Sequence, residues 1–133
     1  MVLLKAPSAL AVLVLLDSLL MAYGHVPLIR AIFFSFSIGG YFLFATVVYI
    51  LGGIFVVANR LFKLSIVGLV IMAIVDNLLL IYTRTMPNIF FHRMLPWSWE
   101  WVPLGTVQVL FGQAILIVLC AILLYKTKGS PTK

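Results

Sequence analysis

Apolar residues occupy the chain in long runs, and charged residues separate these runs at wide intervals. The runs show neither the period of two that marks a half-buried strand nor a polar helical face. A helix needs roughly 20 apolar residues to cross the hydrocarbon core of a bilayer. The pattern therefore predicts four membrane-spanning helices, at residues 7–27, 32–58, 63–83 and 103–125. Barrel strands do not fit, because they run for only about 10 residues and alternate in polarity.

The expected fold class is an all-α integral membrane protein with a four-transmembrane-helix bundle, forming a single membrane domain over residues 1–133. Composition supports this class, since 65% of the 133 residues are hydrophobic and 9% are charged, whereas soluble domains carry about 25% charged residues. A small fold in water could not bury so much apolar surface. The formal net charge of +6 comes from dispersed basic residues, so we expect a lipid bilayer and no nucleic acid as a partner.

The basic residues are divided unevenly between the two predicted sides of the membrane. Lysine and arginine are enriched in cytoplasmic loops and tails. The chain is therefore predicted to lie in the cell membrane as a multi-pass protein with both termini in the cytoplasm and residues 126–133 as a cytoplasmic tail. The basic residues on that side are Lys5, Arg60, Lys63, Lys126, Lys128 and Lys133.

Two helices contain similar segments, residues 15–23 and 74–82, which align without a gap. Asp17 falls on Asp76, and each is followed by a small polar residue, two leucines and then Tyr23 or Tyr82. The alignment predicts a parallel internal repeat of two similar hairpins, as some transporters contain. Chance similarity between leucine-rich helices is the alternative.

Apart from Lys63 at the edge of the third span, Asp17 and Asp76 are the charges that fall inside the predicted spans. Counted from the lysines at the inner boundary, both lie roughly 18–20 Å into a core about 30 Å thick, at matching depth. A carboxylate at this depth must be neutral, paired or in contact with water. We expect a protonated carboxyl that is hydrogen-bonded to polar side chains. The polar residues of this candidate proton or cation site are Ser18, Asn77 and Gln108.

Two interpretations of these carboxylates remain open. They are either a proton or cation site on the pseudo-symmetry axis, or hydrogen-bonding struts within the bundle or against another subunit. An intramembrane ionisable residue is by default a functional hypothesis. The strut is favoured here, because carriers usually show broken helices and more polar lining.

Small residues recur on one face of the second and fourth spans, which predicts close helix packing. Pore lining is the alternative. We expect four helices to leave no room for a large cavity, so that the protein assembles with copies of itself or with other membrane subunits. The predicted packing residues are Gly39, Thr46, Gly53, Gly105 and Gly112.

Residues 84–102 are predicted to form an outer interfacial loop with a short amphipathic helix that ends at Pro96. Aromatic residues at the headgroup level anchor membrane proteins, although tryptophan is also enriched at protein contacts. The predicted interface anchors are Trp97, Trp99, Trp101, Tyr23 and Tyr82.

The two histidines, His25 and His92, fall on the predicted outer side, each within two helical turns of Met21 or Met94. Such a set is a weak candidate for copper or haem, so no metal or cofactor is predicted. Phosphate-binding loops and the Cys-x-x-Cys, His-Glu-x-x-His and Gly-x-Ser-x-Gly motifs are absent from the sequence. No intrinsic catalytic activity is expected.

These observations favour a small membrane subunit with a structural or assembly role in a larger complex, such as a respiratory or energy-transducing one. The alternative is an oligomeric proton- or cation-coupled transporter or channel that uses Asp17 and Asp76. Co-purification of foreign subunits would favour the first function, and ion flux through a homo-oligomer the second.

Overall fold

The computed structural model describes residues 9–33, 35–87, 93–100 and 104–127. It contains four long helices, α1 (Ala9–His25), α2 (Phe36–Ala58), α3 (Phe62–Thr85) and α4 (Thr106–Thr127), and no strand within these ranges. Each helical segment is long and apolar enough to cross a membrane. The predicted all-α, four-helix fold class is confirmed.

The helices form a closed ring in which α1 packs on α2, α2 on α3, α3 on α4, and α4 on α1. Consecutive helices in such a bundle run antiparallel, so α1 and α3 are parallel and diagonally opposite. Beyond α1 the chain continues as a 3-10 helix, Val26–Phe33, which packs on α1 and α2. We call the end of the bundle where α1 and α3 finish the 3-10 end.

The first connection differs from the predicted one, in which a short loop separates spans 7–27 and 32–58. The α-helix ends at His25 and α2 begins only at Phe36, after Ser35. Pro27 explains the end of α1, because it has no N–H for an α-helical hydrogen bond. Ser35 caps α2, since its Oγ accepts a hydrogen bond of 3.3 Å from the N–H of Ile38.

The turn between α2 and α3 is tight and contains two residues with left-handed backbone, Asn59 (φ 57°) and Leu61 (φ 46°). Asparagine is tolerated in this conformation, and the N–H of Asn59 satisfies carbonyl groups at the end of α2. Leucine is not favoured there, because its Cβ is crowded by the backbone. The turn therefore holds α2 and α3 together at a conformational cost.

Glycines mark the closest approaches between elements. A side chain at Gly53 would clash with Ser18 of α1, and one at Gly112 would clash with Met21 of α1. The packing of α1 against both of its neighbours thus depends on missing side chains, as close packing in membranes requires. Two other predicted packing glycines lie against backbone atoms, Gly39 against Ile32 and Gly105 against Glu100 and Ser98. The Thr46 hydroxyl donates a hydrogen bond to the Phe42 carbonyl of its own helix.

The loop before α4 has no helix or strand over residues 93–100. Met94 lies outside any helix. The structure does not describe four residues of this predicted loop, namely Phe90, Phe91, His92 and Trp101. Trp97 and Trp99 are exposed, and their role as interface anchors stays a prediction.

This segment is irregular because it supplies hydrogen bonds to the first turn of α4. Ser98 Oγ accepts from the N–H of Thr106 at 3.0 Å, and the Ser98 carbonyl accepts from the N–H of Val107 at 3.0 Å. The Glu100 carbonyl accepts from Gly105 at 2.9 Å. Orphan N–H groups at the start of a helix need such partners, so the loop acts as an extended cap.

Candidate functional site: a buried carboxylate at a cavity

All four helices contribute to a polar cluster inside the apolar bundle, which we call the Asp76 cluster. It consists of Asp76 on α3, His25 at the end of α1, Tyr41 and Tyr49 on α2, and Gln113 on α4. The two ionisable members are nearly inaccessible, with Asp76 6% and His25 3% exposed. Because α1 and α3 are diagonally opposite, the cluster crosses the centre of the ring.

Asp76 accepts hydrogen bonds at both carboxyl oxygens. Oδ1 accepts from the Tyr41 hydroxyl. Oδ2 accepts from the Tyr49 hydroxyl at 2.6 Å and from Gln113 Nε2 at 2.8 Å, and it lies 2.8 Å from His25 Nε2. A carboxyl group with this set of donors is better described as an ionised acceptor than as a neutral acid.

The contacts of His25 fix where its protons lie. Nδ1 is 2.7 Å from the carbonyl oxygen of Met21, which can only accept, so Nδ1 carries a hydrogen. Nε2 faces Asp76, and one proton lies between these two atoms. The three other donors to Asp76 favour the arrangement in which this proton is on His25, because they stabilise a carboxylate. The last turn of a helix, where His25 lies, also favours a cation.

This geometry corrects the interpretation of His25 as an interfacial residue and weak metal ligand. Both ring nitrogens contact protein oxygens, and Met21 contributes its carbonyl oxygen while its side chain packs on Gly112. The described residues hold no group of three or more His, Cys, Asp or Glu side chains placed for a metal. His92 lies outside the described residues, and Met94 is exposed.

The polar residues expected to pair with the carboxylates make other contacts. Ser18 Oγ donates to the Val14 carbonyl of its own helix at 2.8 Å, and Asn77 Nδ2 donates to the Leu110 carbonyl at 3.4 Å. Gln108 Oε1 accepts from the Glu100 N–H at 2.9 Å. These three side chains therefore hold the bundle and its loop together and form no hydrogen bond with Asp76.

Asp17 and Asp76 are at different depths in the bundle, in contrast to the matching depth expected. A side chain at Gly53 would meet Ser18 of α1, and one at the adjacent Gly52 would meet Leu69 of α3. Ser18 and Leu69 therefore lie at about the same level of the bundle. Asp76 is a further seven residues, or about 10 Å, along α3 from Leu69. Asp17 is next to Ser18, so it lies deeper, and its buried Oδ1 has no hydrogen-bond partner among the described residues.

A cavity of about 640 Å³ adjoins the Asp76 cluster at the 3-10 end of the bundle and is partly open. The expectation that four helices leave no room for a large cavity is wrong. The reason is that the 3-10 helix and the loop before α4 extend the walls beyond the ring of helices. Cluster residues on the cavity wall are His25, Tyr41, Asp76 and Gln113.

Two arginines, Arg30 of the 3-10 helix and Arg84 of α3, also line this cavity. Arg30 is exposed, whereas Arg84 is half-buried. Arg84 Nη1 donates to Thr83 Oγ1 at 2.6 Å, while its buried Nε has no hydrogen-bond partner among the residues that the structure describes. The cavity therefore contains a guanidinium group whose hydrogen-bonding capacity is only partly used.

Sequence reasoning missed Tyr41, Tyr49 and Gln113. A signal for the tyrosines exists, because a separation of eight residues places both hydroxyls near one face of α2. The chain combines a buried carboxylate–imidazole pair with an adjacent cavity, an arrangement that can bind and release a proton. No protein-family model, curated protein or solved structure matches this chain, so its function has to be inferred from this site.

Proposed function

We propose that the protein conducts or transports protons across a membrane, with the Asp76–His25 pair as its proton-binding site and the cavity as the access route. The observation that carries the proposal is the direct contact of His25 with Asp76 on the wall of a cavity inside an apolar helical bundle. Ionisable residues within spanning segments are costly and mark proton or ion pathways.

The Asp76–His25 pair can serve as a proton-binding site, because it can gain one proton or lose the proton that its members share. Gain of a proton neutralises Asp76 and leaves a positive His25, while loss of the shared proton leaves a neutral His25 and a negative Asp76. The Tyr41 and Tyr49 hydroxyls and the Gln113 amide keep the carboxyl group in place in either state. They are neutral donors, so they do not cancel this change in charge.

The proposal places both termini in the cytoplasm, as the distribution of basic residues predicts. The 3-10 end and the cavity then face the outer side. Asp17 lies deeper, between the cluster and the cytoplasmic side, and is the candidate for the second step of the pathway. Its buried, unpartnered Oδ1 supports this assignment.

Proton uptake by liposomes tests the proposal. The purified chain is reconstituted with a pH-sensitive dye inside, and a potassium gradient with valinomycin sets an inward-directed potential. We expect the native chain to acidify the interior, Asp76→Asn to abolish uptake, and Glu100→Gln to retain it. Glu100 is the matched control, because it is an exposed carboxylate outside the helices.

Two further outcomes are informative. Loss of uptake in Asp17→Asn would place the deeper carboxylate on the pathway. Uptake by the native chain no faster than by empty liposomes would refute proton conduction. It would leave the Asp76 cluster as a hydrogen-bonding strut of a structural subunit, and co-purification of partner subunits from native membranes would then be the next measurement.

A further inference from the structure

We propose that the cavity binds an amphipathic molecule with a carboxylate or phosphate head, and that the guanidinium group of Arg84 anchors this head. The inference rests on the proposed function in that it names the class of molecule that occupies the access cavity of the proton site. Its test measures binding and does not require proton flux.

The charges that line the cavity favour an anion. The charged lining residues are Arg30, Arg84, Asp76 and His25. Asp76 and His25 share one proton and together carry no net charge, which leaves Arg30 and Arg84 without a carboxylate partner among the residues that the structure describes. The remaining carboxylates of the chain, Asp17 and Glu100, do not line the cavity. An anionic head would therefore supply the missing counter-charge.

Arg84 is the better anchor of the two arginines. It lies in the last turn of α3 and is half-buried, with one nitrogen used by Thr83 and Nε buried without a partner among the described residues. A buried donor without a partner is unfavourable. The planar guanidinium group matches carboxylate and phosphate oxygens with two parallel hydrogen bonds, so an anion at this position satisfies Nε.

The rest of the cavity fits an apolar body. Its volume of about 640 Å³ lies within the range of about 300–1,000 Å³ that is typical of small-molecule sites. Its walls come from all four helices, the 3-10 helix and the loop before α4. The apolar side chains among them include Leu28, Leu79, Leu80, Leu95, Leu104 and Val109.

Binding measurements in nanodiscs of zwitterionic lipid test this assignment. The probes are octanoate and octyl phosphate, compared with octanol, which lacks the charge, with octyltrimethylammonium, which reverses it, and with inorganic phosphate, which lacks the chain. We expect the two anionic amphiphiles to bind with at least about tenfold higher affinity than each of the other three probes. About tenfold corresponds to one charge-assisted hydrogen bond.

Variants locate the head group. Arg84→Gln is expected to weaken octanoate and octyl phosphate binding by about tenfold, whereas Arg60→Gln leaves it unchanged. Arg60 is a suitable control, because it is an exposed arginine in the α2–α3 turn at the other end of the bundle. Arg84→Lys keeps the positive charge, so a partial recovery of affinity in a folded protein separates charge recognition from structural damage.

A second arm separates a membrane lipid from a free anion. If the natural ligand is a lipid, nanodiscs with phosphatidylglycerol will compete with octyl phosphate, and native mass spectrometry will retain an anionic lipid on the native chain but not on Arg84→Gln. If it is a free anion, that lipid will not compete. Either result supports the anionic site.

Equal binding of octanol and octanoate, or unchanged binding in Arg84→Gln, would overturn the assignment. Selective anion binding without proton uptake would refute the proposed function alone. Proton uptake without anion selectivity would refute this inference alone.

Discussion

Replacing His25 by phenylalanine removes the positive partner of Asp76 while keeping a ring of similar size. Loss of one partner from a buried ion pair typically costs about 3–5 kcal/mol, because the remaining charge stays buried. Asp76 retains its hydrogen bonds from Tyr41, Tyr49 and Gln113, which partly stabilise the lone carboxylate. We therefore expect a loss near the lower limit, about 3 kcal/mol of unfolding free energy.

The double variant with Asp76→Asn provides the sharper measurement. Removing both charges leaves no uncompensated carboxylate, so the double variant should be more stable than His25→Phe alone. The unfolding free energies of the native chain, both single variants and the double variant are measured in mixed micelles at equal detergent composition. The expected coupling free energy is about 2 kcal/mol, within the range seen for residues in direct contact. Additive losses would refute the assignment of a direct ion pair.

Two other changes test the packing of the bundle. Gly53→Val should lower the unfolding free energy by about 1–3 kcal/mol, because the new side chain meets Ser18. Gly68→Val should lower it less, because a Cβ at Gly68 has no neighbour within 4 Å. Equal losses for the two variants in mixed-micelle unfolding would contradict this. Leu61→Gly should raise the unfolding free energy by about 1 kcal/mol, because Leu61 has φ 46° and is 63% exposed; a lower denaturation midpoint would show that its side-chain contacts outweigh the relief of strain.

The length of the apolar runs was enough to predict the helices, because a bilayer leaves few alternatives for such segments. The scarcity of charge selected Asp17 and Asp76 equally, and the contacts in the bundle distinguish the two. The partners of Asp76 were harder to predict. His25 lies at the end of a run, where sequence does not show whether a side chain points inward or into the headgroups.

Gln108 was predicted as a polar partner of the carboxylates, but Gln113 contacts Asp76. Which of the two faces the cluster depends on the rotation of α4 about its axis. That rotation is set by contacts such as Met21 against Gly112 and by the loop that caps the helix. Equal depth for Asp17 and Asp76 followed from counting residues from the nearest lysines. The offset does not come from the helix ends, because Asp17 and Asp76 lie eight and nine residues before the ends of α1 and α3. It comes from the position of α1 along the bundle relative to α3, which the close approaches at Gly52 and Gly53 define. Element type was thus more predictable than register.

The Asp76 cluster also has a consequence for the order in which the protein is made. If the four helices insert into a membrane in chain order, Asp76 enters after His25, Tyr41 and Tyr49 but before Gln113. Until α4 enters, the carboxylate lacks the Gln113 amide, and the side of the ring that α4 closes is open to lipid. The Asp76 cluster would then be complete only after α4 has joined the other three helices. Burial of Asp76 would therefore indicate that all four helices have assembled.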